Sequence, residues 1–477
     1  MGPPTLISAL PPEIIIHTSQ NLHNRDDLLN FSYTCRYLYD LLSPQVYHEP
    51  VTTLDDFSLG EIHRAASFVQ TILRRPNLAR SVQHLRIKLD RSDLRGDVAC
   101  TLHPDLEYDH TLIGDAVKAT AVSIQERKDW EIDIAAGNCD AWLALLFPVL
   151  SNLKTLVFIF SSKTRFITRM LERAIYGQRP FVTQNPLSSL NEVTALWYID
   201  ISVYDDNNNI IGYPSSEKTL DVTLFAKLPA LQTLRGRQLT LPVHGPDQIS
   251  HQLQPDSSPI TTLSISSSIS EDGILGLIKA CKTVKYLRYT EYGDRNGFHA
   301  DSFRRSLPLT KESLEELWID YGDHTYPYLD AENNWLGSFH DFSRLRKLHI
   351  RLANLFSWRP STASHARTTP KQRLTSLLPP AIETLCITEC MGEQGQALVS
   401  QLEDLISNKQ TYVSRLSQLE IYIDFMIEPD TRDHLKSLCE EEQVDFAIRR
   451  WWDPTDMKYP SRDDGYILQD TFWCFDR

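Results

Sequence analysis

Residues Leu314–Ile319 read LEELWI, and the same arrangement returns at Leu345–Ile350 as LRKLHI and at Ile382–Ile387 as IETLCI. In each, an apolar residue is followed three positions later by Leu and two after that by another apolar residue. The Leu-x-apolar ending suits a β-strand, where alternate side chains point to one face. Further copies are VQHLRI ending at Ile87, LKTLVF at Phe158, VTALWY at Tyr198, ITTLSI at Ile265, VKYLRY at Tyr289 and LSQLEI at Ile421, with LQTLRG at Gly236 as a degenerate one. Leucine is common, so one copy carries little weight. This many, broadly evenly spaced, carry a great deal.

Between copies lie helical patterns such as DAWLALLFPVLSN, EDGILGLIKAC, QALVSQLEDLISN and DTRDHLKSLCEEE. The anchoring residues Leu263, Leu287, Leu317, Leu348, Leu385 and Leu419 are 24 to 37 residues apart. A strand–helix unit repeated at that period predicts an irregular leucine-rich solenoid of α/β class, with parallel strands inside, helices outside, and each unit burying its apolar face against its neighbours. The spacing loosens at Leu89 to about Asn138, Ser202–Asp221, Thr240–Pro259 and the basic SWRPSTASHARTTPKQR loop, which read as polar insertions, the last as disordered.

The chain opens differently. Leu10–Leu22 read LPPEIIIHTSQNL, with Pro11 and Pro12 where a helix begins and Glu13 at the positive end of its dipole. HNRDD breaks that helix, Asp26 and Asp27 start a second through Leu28, Leu29 and Phe31, and CRYLYDLL forms a third. Three short helices make very little core. The order Leu10-Pro11-x-Glu13-Ile14-Ile15, then Leu28-Leu29, then Cys35-Arg36-x-Leu38 resembles the F-box, the module by which receptor subunits of SCF ubiquitin ligases bind the Skp adaptor. Leu22 and Leu42 fit the same pattern, while Thr18, Gln20 and Asn21 depart from it by being polar. TILRRPNLARSVQHLRI, DAWLALLFPVLSNLKTL, LGSFHDFSRLRKLHI and LLPPAIETLCI are similar to segments of fungal F-box proteins with divergent leucine-rich repeats.

The resemblance implies an adaptor-binding module at 1–50 that uses Leu10, Pro11, Glu13, Ile14, Ile15, Leu28, Leu29, Cys35, Arg36 and Leu38. A helical linker and cap would follow at 51–80, the solenoid at 81–448, and an aromatic cap or tail at 449–477 carrying Trp451, Trp452, Tyr459, Tyr466, Phe472 and Trp473. It also implies the Skp adaptor as partner, through it cullin and a RING subunit, and an unknown protein target held by the solenoid. A leucine-rich scaffold with a degenerate F-box is the alternative.

If the template leucine points into the core, the next residue faces the concave sheet. Those positions are Arg86, Val157, Trp197, Arg235, Ser264, Arg288, Trp318, His349, Cys386 and Glu420, with Lys88, Arg237, Asp320 and Arg351 two residues further on. Arg and Trp are enriched at binding hot spots, so Trp197, Arg235, Arg288, Trp318, His349 and Arg351 form the expected target surface.

Other chemistry finds no anchor. The sequence has no GxSxG, HExxH, GxxxxGK[ST] or GxGxxG motif. Asp205, Asn207 and Asn209 imitate a calcium loop, but Ile210 and Ser216 stand where glycine and glutamate are required. The eight cysteines are scattered without CxxC pairs, which suits reduced packing thiols and no metal; Cys386 and Cys390 lack further ligands. A net charge of -14 argues against nucleic acid as partner. No basic residue precedes Ile14–Ile16 and no uncharged apolar run approaches the ~20 residues that span a bilayer, so no membrane partner and a cytoplasmic or nuclear location are expected. No cofactor and no catalytic residue are expected.

Overall fold

The computed structural model describes residues 10–22, 25–54, 59–89, 106–160, 164–183, 186–197, 220–221, 223–237, 239–240, 253–266, 273–291, 300–321, 334–358, 369–390, 392–423 and 425–450. The chain divides into two compact units, 1–260 and 261–477.

The first unit starts with helices α1 (Pro12–Ser19), α2 (Arg25–Tyr33) and α3 (Arg36–Val46). Strand β1 (Val51–Leu54) follows, then α4 (Leu59–Arg74), α5 (Pro76–Ser81) and β2 (His84–Leu89). Helices α6 (His110–Thr120), α7 (Ile124–Ala135) and α8 (Cys139–Ala144) lead to β3 (Thr155–Phe160), and α9 (Arg165–Ile175) to β4 (Glu192–Trp197). The unit continues through β5 (Leu220–Asp221), α10 (Thr223–Ala226), β6 (Thr233–Arg237) and β7 (Leu239–Thr240). Its main sheet is parallel, in the order β1-β2-β3-β4-β6, and β5 and β7 pair separately.

The second unit contains β8 (Thr262–Ser266), α11 (Gly273–Ala280), β9 (Tyr286–Glu291), α12 (Ala300–Ser306), β10 (Glu316–Tyr321), β11 (Lys347–Arg351), α13 (Leu352–Leu355), β12 (Thr384–Cys390), α14 (Gly392–Ser407), α15 (Lys409–Tyr412), β13 (Gln418–Ile423), α16 (Pro429–Glu441) and β14 (Asp445–Arg450). Its seven strands are parallel and lie in chain order.

The template leucines stand in register across neighbouring strands: Leu85 with Leu156, Leu263 with Leu287, Leu317 with Leu348, and Leu385 with Leu419. They and the apolar residues two places on are buried. Fully burying such a side chain contributes roughly 1.5–3 kcal/mol, and each does so only against the adjacent turn. The backbone stitches the turns together as well. The carbonyl two residues before each anchor accepts two N–H groups of the next turn: Gln83 from Lys154 and Thr155, Lys285 from Glu315 and Glu316, Glu383 from Ser417 and Gln418.

Three expectations change. Residues 51–80, expected as a helical linker and N-terminal cap, carry a strand besides their helices: the sheet already starts at Val51, and the His48 carbonyl accepts from Gln83 and His84 as the first rung of the ladder. The supposed insertion at Leu89–Asn138 holds α6 and α7 within its described part, 106–138. Asp109 and Ser123 cap these helices by accepting from Leu112 and Glu126, and Glu126 in turn accepts from Val122 N. The third concerns β4. Val193, not Leu196, is in register with Leu156 and Leu234, and the Asn191 carbonyl accepts from Gln232 and Thr233 as the rung two residues ahead. The expected insertion core at 202–219, the 241–252 segment, most of the basic loop (359–368) and the tail from Trp451 lie outside the described residues, as does the calcium-loop imitation.

Candidate functional site

Two surfaces correspond to the predicted residues. The first is the N-terminal helical module. Pro11 and Pro12 open α1, and the Pro11 carbonyl accepts from Ile14 and Ile15. Ile15, Leu38 and Leu42 form a small core, against which Ile16, Leu28, Phe31, Cys35 and Leu41 pack. Of the predicted adaptor contacts, Ile15 (2% exposed) and Leu38 (0%) are thus internal to the module. Leu28, Leu29 and Cys35 are half-buried. Leu10 (46%) and Ile14 (51%) lie open to solvent, together with Pro11, Glu13 and Arg36.

The polar end of α1 faces outward and caps itself. Thr18 Oγ1 donates to the Ile14 carbonyl at 2.7 Å and Asn21 Nδ2 to His17 at 3.2 Å. Ser19 is the exception: buried, it bonds Gln45 Oε1 at 2.6 Å and ties α1 to α3. The module packs against α4 and the residue that follows it. Tyr47 stacks on Phe68 with centroids 6.4 Å apart, and the Arg75 guanidinium donates to the Tyr39 hydroxyl at 2.9 Å while covering its ring.

The second surface is the open face of each sheet. In the first unit Arg86 is exposed, Lys88 is half-buried, and Arg235 pairs with Glu192 on the neighbouring strand at 3.2 Å. The β4 register puts Thr194 between Val157 and Arg235 in this row, the position expected of Trp197; Trp197 pairs with Phe160 at the strand end. The side chains of Trp197 and Arg237 lie outside the described residues.

In the second unit the row after the anchoring leucines is Ser264, Arg288, Trp318, His349, Cys386, Glu420 and Ala447. Arg288 lies 4.6 Å from the Trp318 ring centroid, and Trp318 stacks on His349 at 3.5 Å with planes 6° apart. Cation–π and stacking contacts fix Trp318 in one orientation. His349 is buried, and its Nε2 sits 3.8 Å from Asp320 Oδ2 without a hydrogen bond. Burial pushes its pKa down to about 4; Asp320 opposes the shift and Arg288 reinforces it.

One row further on the face closes. Thr290, Asp320, Arg351 and Thr388 are all buried. Arg351 holds Glu389 Oε2 through Nη2 at 2.6 Å and Nε at 2.8 Å. Glu389 reaches it from a β-bulge in β12, where its φ is +53°. Glu420 accepts from Arg449 and, at 3.2 Å, from the Tyr422 hydroxyl. Arg351 and His349 are therefore buried supports, whereas Arg288 and Trp318 keep accessible surface. Burial, followed by Glu420 and Asp320, drives the Cys386 thiol pKa far up, so it stays a protonated packing group. Among the described residues no cluster of three His, Cys, Asp or Glu side chains could hold a metal, and no helix is long and apolar enough to cross a membrane.

The model of a leucine-rich repeat domain matches residues 60–453. The chain belongs to the leucine-rich repeat family. A search among curated proteins finds none similar to it. The match covers the leucine-rich repeat turns from α4 onward and leaves α1–α3 outside it. Leucine-rich repeat domains are protein-interaction modules, whose stacked turns offer an extended binding face. At the other end of the array the sequence reading missed a further strand: DFAIRR forms β14 (Asp445–Arg450), with Phe446 in register with Leu419 and Ala447 with Glu420. Its signal is weaker than the other copies', because Phe446 stands in place of Leu and the leading apolar residue, Val444, comes two positions before it where the template has three.

Proposed function

We propose that this chain is the substrate-receptor subunit of an SCF-type ubiquitin ligase. The N-terminal module would bind the Skp adaptor, and through it cullin and the RING subunit, while the repeats hold a target protein. The observation that supports this best is the module itself: it uses Ile15, Leu38 and Leu42 for its own core yet leaves Leu10, Pro11 and Ile14 exposed at the start of α1. These three lie within five residues of one another, and a bound adaptor would take them out of water. Arg288 and Trp318 are the accessible anchors for the target, positioned from behind by His349. Such a receptor works by proximity, raising the effective concentration of a target lysine near the activated thioester without an acid or base of its own. It would act in the cytoplasm or nucleus.

The test is titration of purified adaptor into the full chain and into a Leu10→Ala/Ile14→Ala variant. The variant should bind at least tenfold more weakly and keep its melting temperature, since neither side chain belongs to the core. Equal binding by the two proteins would remove the receptor reading. The second reading, a leucine-rich repeat scaffold without an adaptor, is favoured by the polar Thr18, Gln20 and Asn21 on the outer side of α1; it predicts no binding to either.

A further inference from the structure

The sheet of the second unit ends differently from how it proceeds. On β11, β12 and β13 the core-facing residues Leu348, Ile350, Leu385, Ile387, Leu419 and Ile421 are fully buried. On β14 the residues in register with Leu419 and Ile421 are Phe446 and Ile448, and both are only half-buried. Helix α16 covers this turn from one side through the buried Leu435 and Cys439. Among the described residues no strand pairs with the far edge of β14.

An open parallel edge beside a half-covered apolar flank is where a solenoid needs one more layer, and where an uncovered chain would pair with a second copy of itself. A segment of suitable chemistry comes next in the sequence. Residues 451–477 follow β14 directly and carry Trp451, Trp452, Tyr459, Tyr466, Phe472 and Trp473. β14 is six residues long, about 20 Å at ~3.3 Å per residue, so a short reversal of the chain is enough to bring part of this segment alongside it.

We propose that residues 451–477 dock on the β14 edge and cover Phe446 and Ile448. The proposal concerns the second unit alone and does not depend on the ligase reading. Its test uses the full chain with a specific protease site inserted between Arg450 and Trp451, cut after folding. The 451–477 fragment should co-elute with a monomeric body, and the amides of Phe446–Arg450 should stay protected from hydrogen exchange. In a chain ended at Arg450 those amides should exchange about tenfold faster or more, and added 451–477 peptide should restore their protection. If the shortened chain fails to fold, the cut protein still decides. Separation of the fragment with unchanged β14 protection would overturn the proposal, as would a full-length dimer paired through β14.

Discussion

His349 shows how a residue in the expected binding row can serve the fold instead. Its ring is packed flat on Trp318, out of water and beside Asp320 and Arg288. A histidine held neutral in the native state costs stability once the unfolded chain takes up a proton. Stability from this group is therefore intact above pH 6.5 and declines as pH falls from there towards about 4, in total by roughly 3 kcal/mol. Replacing Trp318 with Ala opens the stack. NMR titration should then show the His349 pKa moving up towards the ordinary 6.5; an unmoved value would mean that something other than Trp318 keeps the ring dry. The neighbouring Arg351–Glu389 pair is buried on both sides. Glu389→Gln should destabilise the second unit by about 3–5 kcal/mol, because it leaves the guanidinium without a counter-charge, and a denaturant midpoint compared with wild type measures it. None of this was legible beforehand. Alternation tells which face a residue occupies, but burial within the open face depends on which side chains of neighbouring strands lie against it and on a bulge at Glu389 that sequence periodicity does not show.

Asp140 makes the corresponding case for the helices. It sits in α8, and its carboxylate accepts from Phe166 N at 2.7 Å and Ile167 N at 3.0 Å, the free donors at the start of α9. Burial raises its pKa to about 6 despite those bonds. The sign is opposite to that of His349. The native state binds the proton more tightly than the unfolded chain, so this group is least costly below pH 3.8, and the cost grows to roughly 3 kcal/mol as pH rises through 6. Asp140→Asn keeps an acceptor and removes the titration. Its stability difference from wild type should shift by about 2.5 kcal/mol between pH 4 and pH 7 in urea unfolding, and a constant difference would contradict the assignment. The strands were mostly readable, because Leu-x-apolar copies fell in register from β8 to β13. β4 was not, because Val193-x-Ala195 and Leu196-x-Tyr198 fit the template equally well. Contact with the neighbouring turns, through Leu156, Leu234 and the Asn191 carbonyl, decides between frames three residues apart. α7 was hidden behind its charged composition, although Ser123 and Glu126 spell a capping pair.

The chain as a whole joins an N-terminal helical module to a leucine-rich repeat array, and the joint is built into the first unit: His48 begins the carbonyl ladder, Tyr47 packs on Phe68 of α4, and Tyr39 meets Arg75 between α4 and α5. Deleting everything before Val51 would therefore strip the first rung of the sheet along with the module, so point substitutions are the cleaner instrument. The array was legible because its signal repeats; the module's surface was not, because one turn of α1 holds both Ile14, exposed, and Ile15, buried. The most direct measurement is affinity purification with mass spectrometry of the intact chain alongside the Leu10→Ala/Ile14→Ala variant. The account predicts adaptor and cullin with the intact chain, their loss from the variant, and retention of the remaining partners by both. Recovery of the same partners with both proteins, or absence of adaptor and cullin from the intact chain, would contradict it.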